Sequence, residues 1–220
     1  MKMKRQIILL LAASLALLVS CTEKLSFDIV TEGAVDMGTS VKWAAFNLGA
    51  TAPEEAGDYY AWGETAPKED YSEESYTYKD NPTVLPLSND AANVRLGGNW
   101  RMPTAAEIQE LADNCKAYWT KLNDIEGVVF TSKKTGKSIF IPAAGWMDGT
   151  SKADESDYMG YCLSSSAHSS YPDDASVMVF FHNPDQGRSD KRHPAVIHPD
   201  LNCDRYSGFP VRPVFAEKFE

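Results

Sequence analysis

The chain has 220 residues, 21 basic against 31 acidic, for a net charge of −10. That balance argues against nucleic acid, whose phosphates need clustered Lys and Arg, and against electrostatic attraction to anionic lipid. Hydrophobic residues make up 43%, enough for one sizeable domain that buries about 70% of its surface; no Pro/Ser linker or internal repeat divides it.

At the start, Lys2, Lys4 and Arg5 precede an unbroken stretch of low polarity from Ile7 to Val19. As helix it would span about 20 Å, short of a bilayer core of about 30 Å. A basic start, a short apolar tract and small residues before a cut site read as a signal peptide over residues 1–20. The tract ends Leu18-Val19-Ser20-Cys21, which resembles a bacterial lipobox. That resemblance implies a diacylglyceryl group on the Cys21 thiol and an acyl chain on its freed amine. At about 0.8 kcal/mol per buried methylene, several chains make a near-permanent anchor. The other reading is an ordinary secretory signal with a chance cysteine. Cleavage would remove three of the 21 basic residues and no acidic one, leaving a still more acidic mature chain.

Residues 21–34 read as the lipidated cysteine and a polar stem, and 35–220 as one domain. "VDMGTSVKWAAFNLGA" (35–50) alternates around Val41, Trp43 and Ala45, as a half-buried strand does, and "GDYYAWGE" (57–64) is a second, aromatic strand. Residues 65–86 hold five acidic residues and three prolines and read as a solvated loop. "SNDAANVRLGG" (88–98) predicts a short helix capped by Ser88 or Asn89 and stopped by two glycines. In "GGNWRMPTAAEIQEL" (97–111), Thr104 and Glu107 form a capping box. Ile108, Leu111, Ala112 and Cys115 follow on one helical face, which makes Cys115 a buried free thiol. Thereafter the pattern is strands: a hairpin over 128–145 turning at Lys134-Thr135-Gly136, then 158–166, 176–183 and 209–215. The segments 146–157 and 183–208 read as long loops. Two helices followed by strands and loops predict an α+β domain.

Taken in order, "VDMGTSVKWAAFNLGA", "GDYYAWGET", "DAANVRLGGNWRMPTAAEIQEL", "SIFIPAAGWMDGT", "GYCLSSS" and the closing "VRPV" resemble the FISUMP (Fibrobacter succinogenes major paralogous) domain over about residues 35–215. That family is common in surface lipoproteins of gut-type Gram-negative bacteria. "RMPTAAEIQEL" also resembles a segment of formylglycine-generating enzymes, which share with FISUMP domains a relation to the C-type lectin fold. The resemblance therefore implies a C-type lectin-like fold: two helices packed on a small, twisted, mostly antiparallel sheet with long loops. In that frame Trp100 fills the helix–sheet seam and Arg101 binds carbonyls or a carboxylate. With Thr104, Glu107 and Arg212, both are structural.

Formylglycine-generating enzymes hold copper with two close cysteines near the C-terminus, whereas Cys162 and Cys203 stand far apart in this sequence. That chemistry is not carried over, and no catalysis and no cofactor are expected. The lectin-like fold often links its middle strand to the segment before its last, so the resemblance implies a Cys162–Cys203 disulfide. The alternative is two small buried hydrophobes. His168, His182, His193 and His198, with Asp185, Asp190 and Asp200 nearby, lack metal-ligand spacing and read as surface loop histidines. "NPD" (183–185) resembles a calcium tripeptide without its partner element, so no metal is expected.

Trp146 enters the polar stretch "MDGTSKADES", where an aromatic face beside carboxylates suits a carbohydrate or peptide cleft. The alternative is a Trp folded back on its own sheet. The candidate binding residues are Trp146, Asp148, Tyr171, His182, Asp185, Arg188 and Tyr206, set on loops 146–157 and 183–208. The expectation is a binding protein for a glycan or a protein, lipid-anchored in the outer membrane on its periplasmic face or at the cell surface. The alternatives are a structural accessory subunit of a surface assembly and, last, an enzyme on the formylglycine-generating scaffold. Oligomeric state is not legible.

Overall fold

The structure is a computed structural model and describes residues 29–153, 158–182 and 193–217. In chain order it contains β1 (Ala34–Val35), β2 (Lys42–Ala44), β3 (Tyr59–Tyr60), a 3-10 turn (Leu87–Asn89), α1 (Ala91–Leu96), β4 (Trp100–Arg101) and α2 (Ala105–Asn114). The strands β5 (Cys115–Leu122), β6 (Ile125–Ser132), β7 (Ser138–Pro142), β8 (Trp146–Asp148) and β9 (Ser151–Ala153) follow. The chain closes with β10 (Met159–Ala167), β11 (Ala175–His182), β12 (His193–Cys203), β13 (Phe209–Pro210) and β14 (Val214–Phe215).

A six-stranded antiparallel sheet in the order β10-β11-β12-β5-β6-β7 faces a four-stranded one, β1-β2-β14-β4. The sheets curl into a half-barrel, with strand over 41% of the described residues and helix over 11%. This overturns the expected α+β, C-type lectin-like fold. Among the described residues only α2 exceeds six residues, so there is no pair of helices to cover a sheet. No described helix is long and apolar enough to cross a membrane.

The difference arises in two segments. Residues after Asn114 leave the helix at once: Cys115 caps α2 and opens β5, so the thiol is buried on a strand and not on the helical face. β5 joins β6 through Asn123 (φ 48°) and Asp124 (φ 66°), a two-residue turn of the left-handed type that Asn and Asp tolerate. Residues 193–203, expected as loop, form a strand inside the large sheet. β12 pairs all along β11 but meets β5 only at His193–Trp119 and Pro194–Tyr118.

Two cores result, one on each face of β10 and β11. The first gathers Trp43, Ile108, Leu111, Phe130, Ile141, Cys162, Met178, Phe180 and Val214 between the two sheets and α2. The second gathers Tyr60, Trp62, Tyr78, Met102, Leu163, Val177, Val179 and Phe209 on the far side. Burial on both faces accounts for the near-continuous apolar run of "SVMVFF" in β11, since a one-sided strand would alternate. Residues 65–86 are also less solvated than expected: Tyr71, Tyr78 and Leu85 are buried. Lys68 Nζ sits over the rings of Tyr71 and Tyr76 at 5.6 and 5.8 Å while pairing with Glu64 at 2.7 Å.

The expected capping box is present. The Glu107 amide donates to Thr104 Oγ1 (3.3 Å) and the Thr104 amide to Glu107 Oε2 (2.9 Å). Helix α1 is capped by Asp90, whose Oδ1 accepts from the Asn93 amide at 2.9 Å, and not by Ser88 or Asn89. Gly97 (φ 70°) ends it.

Candidate functional site

Gly145 (φ 69°) turns the chain out of the large sheet into the β8–β9 hairpin, and a Cβ there would lie 2.4 Å from the Ala153 carbonyl oxygen. The hairpin reverses at Gly149-Thr150, with Asp148 opposite Ser151 and Gly149 at φ 54°, a tight turn that needs glycine's freedom. Two remote segments attach to it. The Tyr71 amide donates to the Gly149 carbonyl at 2.8 Å, and Met147 exchanges amide bonds with Gly208 at 2.7 and 3.0 Å. Gly208 makes the junction possible, because a Cβ there would sit 2.6 Å from the Tyr71 ring and 2.9 Å from Met147 Cβ.

This convergence sets Asp148 close enough to Tyr206 for its charge to act on the phenol, with Trp146 two residues before Asp148 on the same strand. Trp146 is half-buried and stacks on Phe209, with ring centres 5.7 Å apart and planes 12° apart. One of its faces is therefore spent on the second core, as in the folded-back alternative. Asp148 is exposed. The Tyr206 hydroxyl donates to Asp204 Oδ2 at 2.9 Å. That bond, then burial, then the negative charges of Asp204, Glu73 and Asp148 push the phenol up to about 12. The phenol therefore stays protonated at neutral pH beside three carboxylates.

The other candidates lie elsewhere. Tyr171 is exposed on the β10–β11 turn, where its amide donates to His168 Nδ1 (3.2 Å) and its ring stacks on that imidazole. His182 ends β11 and packs against Trp119. An eight-residue strand spans about 25 Å, so Tyr171 and His182 do not share a site. His198 lies on β12, stacked on Phe181, so a strand and not a loop carries it. Cys21, Asp185, Arg188 and Asp190 lie outside the described residues. Among the described residues no three of His, Cys, Asp and Glu converge as metal ligands.

The disulfide expectation is corrected. Cys115, Cys162 and Cys203 are all free thiols. Cys162 lies opposite Met178 and Cys203 opposite Ala175, on the two sides of β11. Two strand spacings, about 10 Å, exceed the roughly 7 Å Cα separation that a disulfide allows. The side chains also face different cores. Burial pushes Cys162 up to about 11 and Cys115 up to about 12, and it raises Cys203 as well.

Arg101 meets its expected carboxylate and carbonyl: its guanidinium grips both oxygens of Glu107 at 2.7 and 2.5 Å and donates to the Met102 carbonyl at 3.0 Å. Trp100 is not in the helix–sheet seam. It is half-buried at the edge of the four-stranded sheet, edge-on to Phe215 at 5.2 Å. With Phe46, Asn47, Leu48, Leu96 and Pro213 it lines an apolar cleft of about 230 Å³. The contributions of Glu73, Asp204 and Gly208 to the surface around Tyr206 were not expected from sequence, and only the Gly in "YSGFP" gave a local signal, that of a turn. Comparison with protein-family models, with curated proteins and with solved structures finds no match to this chain.

Proposed function

We propose that the protein is a lipid-anchored binding protein of the outer membrane, at its periplasmic face or the cell surface, which holds a neutral glycan at the surface around Trp146, Asp148 and Tyr206. The observation that carries the reading is the junction at Gly208, where three segments remote in sequence meet and set an aromatic edge beside Asp148, Asp204 and Glu73. Carboxylates accept pairs of hydroxyl hydrogens, and ring surfaces stack on the apolar faces of sugars. The net charge of −10 favours a neutral ligand over an anionic one. The lipobox at Cys21 and the resemblance to FISUMP lipoproteins support export and anchoring. Binding is preferred to the cysteine chemistry of formylglycine-generating enzymes because burial raises all three described thiols, and nucleophilic cysteines need the reverse.

The test is a glycan array probed with the mature protein clustered on vesicles, since single sites of this kind bind near millimolar, about −4 kcal/mol, and clustering adds avidity. Asp148→Asn and Tyr206→Ala should each weaken the strongest signal at least tenfold while leaving the melting temperature within a few degrees. Variants that bind every array hit as the parent does would refute this surface. Capture of a protein assembly in place of any sugar would point to the accessory-subunit reading. Labelled palmitate should enter the wild type, and Cys21→Ser should accumulate unlabelled; equal labelling would remove the anchor.

A further inference from the structure

We infer that the rim of the apolar cleft, formed by Phe46, Leu96 and Trp100, rests on the lipid bilayer that holds Cys21. The inference rests on the anchoring reading above and concerns how the anchored domain is oriented.

Val94 and Leu96 are 51% and 49% exposed, although they belong to a six-residue helix that buries Ala91 and Ala92. A scattered exposed aliphatic residue is ordinary. Here Leu96 shares a cleft with the half-buried rings of Phe46 and Trp100 over a floor that includes Ala45 and Leu48, a grouping that marks an interaction surface. Gly33 lines the same cleft, four residues after the first described residue, Ile29. The eight-residue interval from Cys21 to Ile29 reaches at most about 28 Å. A domain of this size has a radius of gyration of about 17 Å and is about 40 Å across. A tether shorter than the body keeps the face where the chain enters turned toward the membrane. Gly33 sets one wall of the cleft within four residues, at most about 14 Å, of that point of entry.

The side chains suit the place. Indole and phenyl rings settle at the water–lipid boundary, and short aliphatic residues insert beside them. No basic cluster is needed: Arg95 on the same helix is paired with Asp58 at 3.5 Å, and the acidic chain gains nothing from anionic lipid. The partner is therefore the apolar boundary of a neutral bilayer.

The full-length lipidated protein, reconstituted in phosphatidylcholine vesicles, tests this with lipids brominated near the headgroup, which quench nearby tryptophan. Wild type should lose emission on brominated vesicles. Trp100→Phe should lose at most half as large a share, and Leu96→Asp, with Trp100 intact, should show quenching at least twofold weaker. Circular dichroism identifies any variant that fails to fold, and Leu96→Asp, being on the surface, keeps the test open if Trp100→Phe does. Protein that floats with the vesicles but shows the same quenching in wild type and both variants would overturn the docking and leave the anchor standing. Protein that does not float, or a Cys21→Ser protein that floats equally, would overturn the anchor itself. Crosslinking of residue 96 to a second copy on the vesicles, without quenching, would assign the cleft to self-association and overturn the lipid contact.

Discussion

Glu107 does two jobs with one carboxylate. Its Oε2 accepts from the Thr104 amide and from Arg101, and its Oε1 accepts from the other arm of the same guanidinium. Burial alone would raise its pKa, but the bonds from Arg101 and Thr104 outweigh it and hold the group below its ordinary 4.5. A carboxylate depressed in the folded state contributes stability in full above its unfolded value and loses it as pH falls through the folded one. Glu107→Gln should therefore cost about 2 kcal/mol at pH 7, as hydrogen bonds to a charged group do, and much less at pH 3. Urea titrations at both pH values check this; an equal cost at both would mean that shape, not charge, holds the pair. Thr104→Ala should cost about 1 kcal/mol as a lost cap. This site was legible because Thr-x-x-Glu is a local pattern whose partners are three residues apart. Arg101 is legible as structural, but its partner reads only as carbonyls or a carboxylate, since which acid it meets depends on how β4 enters α2.

At the scale of elements, the sequence misled where local signals competed. Ile108, Leu111, Ala112 and Cys115 fit a helical face, which carries the helical pattern one residue into β5. The buried Cys115, exposed Lys116 and the Asn123-Asp124 pair are strand and turn signals in the same stretch. β12 was hidden by Pro194 and Pro199, which argue against a central strand. Pro194 is the second residue of its strand, and Pro199 falls where the register slips between the Val177–Leu201 and Val179–His198 pairs, a bulge that needs no amide from it. The strand order makes a firm prediction about the thiols. Protein purified without reductant should yield three alkylatable cysteines after Cys21 once denatured, and slow labelling before that. With burial holding Cys162 near 11, roughly one molecule in 10⁴ carries its thiolate at pH 7. A Cys162–Cys203 peptide in a non-reducing map would contradict the placement of β11 between them.

The whole molecule depends on a side chain that composition could not single out. Arg212 is fully buried between the two sheets. Its Nε donates to Asn47 Oδ1 (2.9 Å), and its terminal nitrogens donate to the carbonyls of Ala44 in β2 (3.1 Å) and Phe140 in β7 (2.6 Å). Asn47 is itself held through its amide nitrogen, which donates to the Ala56 carbonyl at 2.9 Å. Burial pulls the guanidinium down to about 9, which leaves it cationic at pH 7, so its charge is balanced there by oxygen dipoles in place of a carboxylate. The resemblance pointed to "VRPV", but two of the three acceptors are backbone carbonyls, which any sequence supplies, so the pin itself could not be read in advance. Arg212→Ala would leave three buried acceptors unpaired and open a cavity between the sheets. Each unsatisfied group costs about 1–3 kcal/mol, so a loss of roughly 3–5 kcal/mol is expected after partial relaxation. At about 2–4 °C per kcal/mol for a chain of this length, the melting temperature should fall by roughly 6–20 °C. Arg212→Met restores volume but no donors and should recover only part of that loss. Arg95→Ala, which breaks an exposed pair, should shift stability by no more than about 0.5 kcal/mol. Calorimetry on the three variants separates the terms. If Arg212→Met melts with the wild type, packing alone joins the sheets; if Arg212→Ala does too, the half-barrel does not depend on this residue.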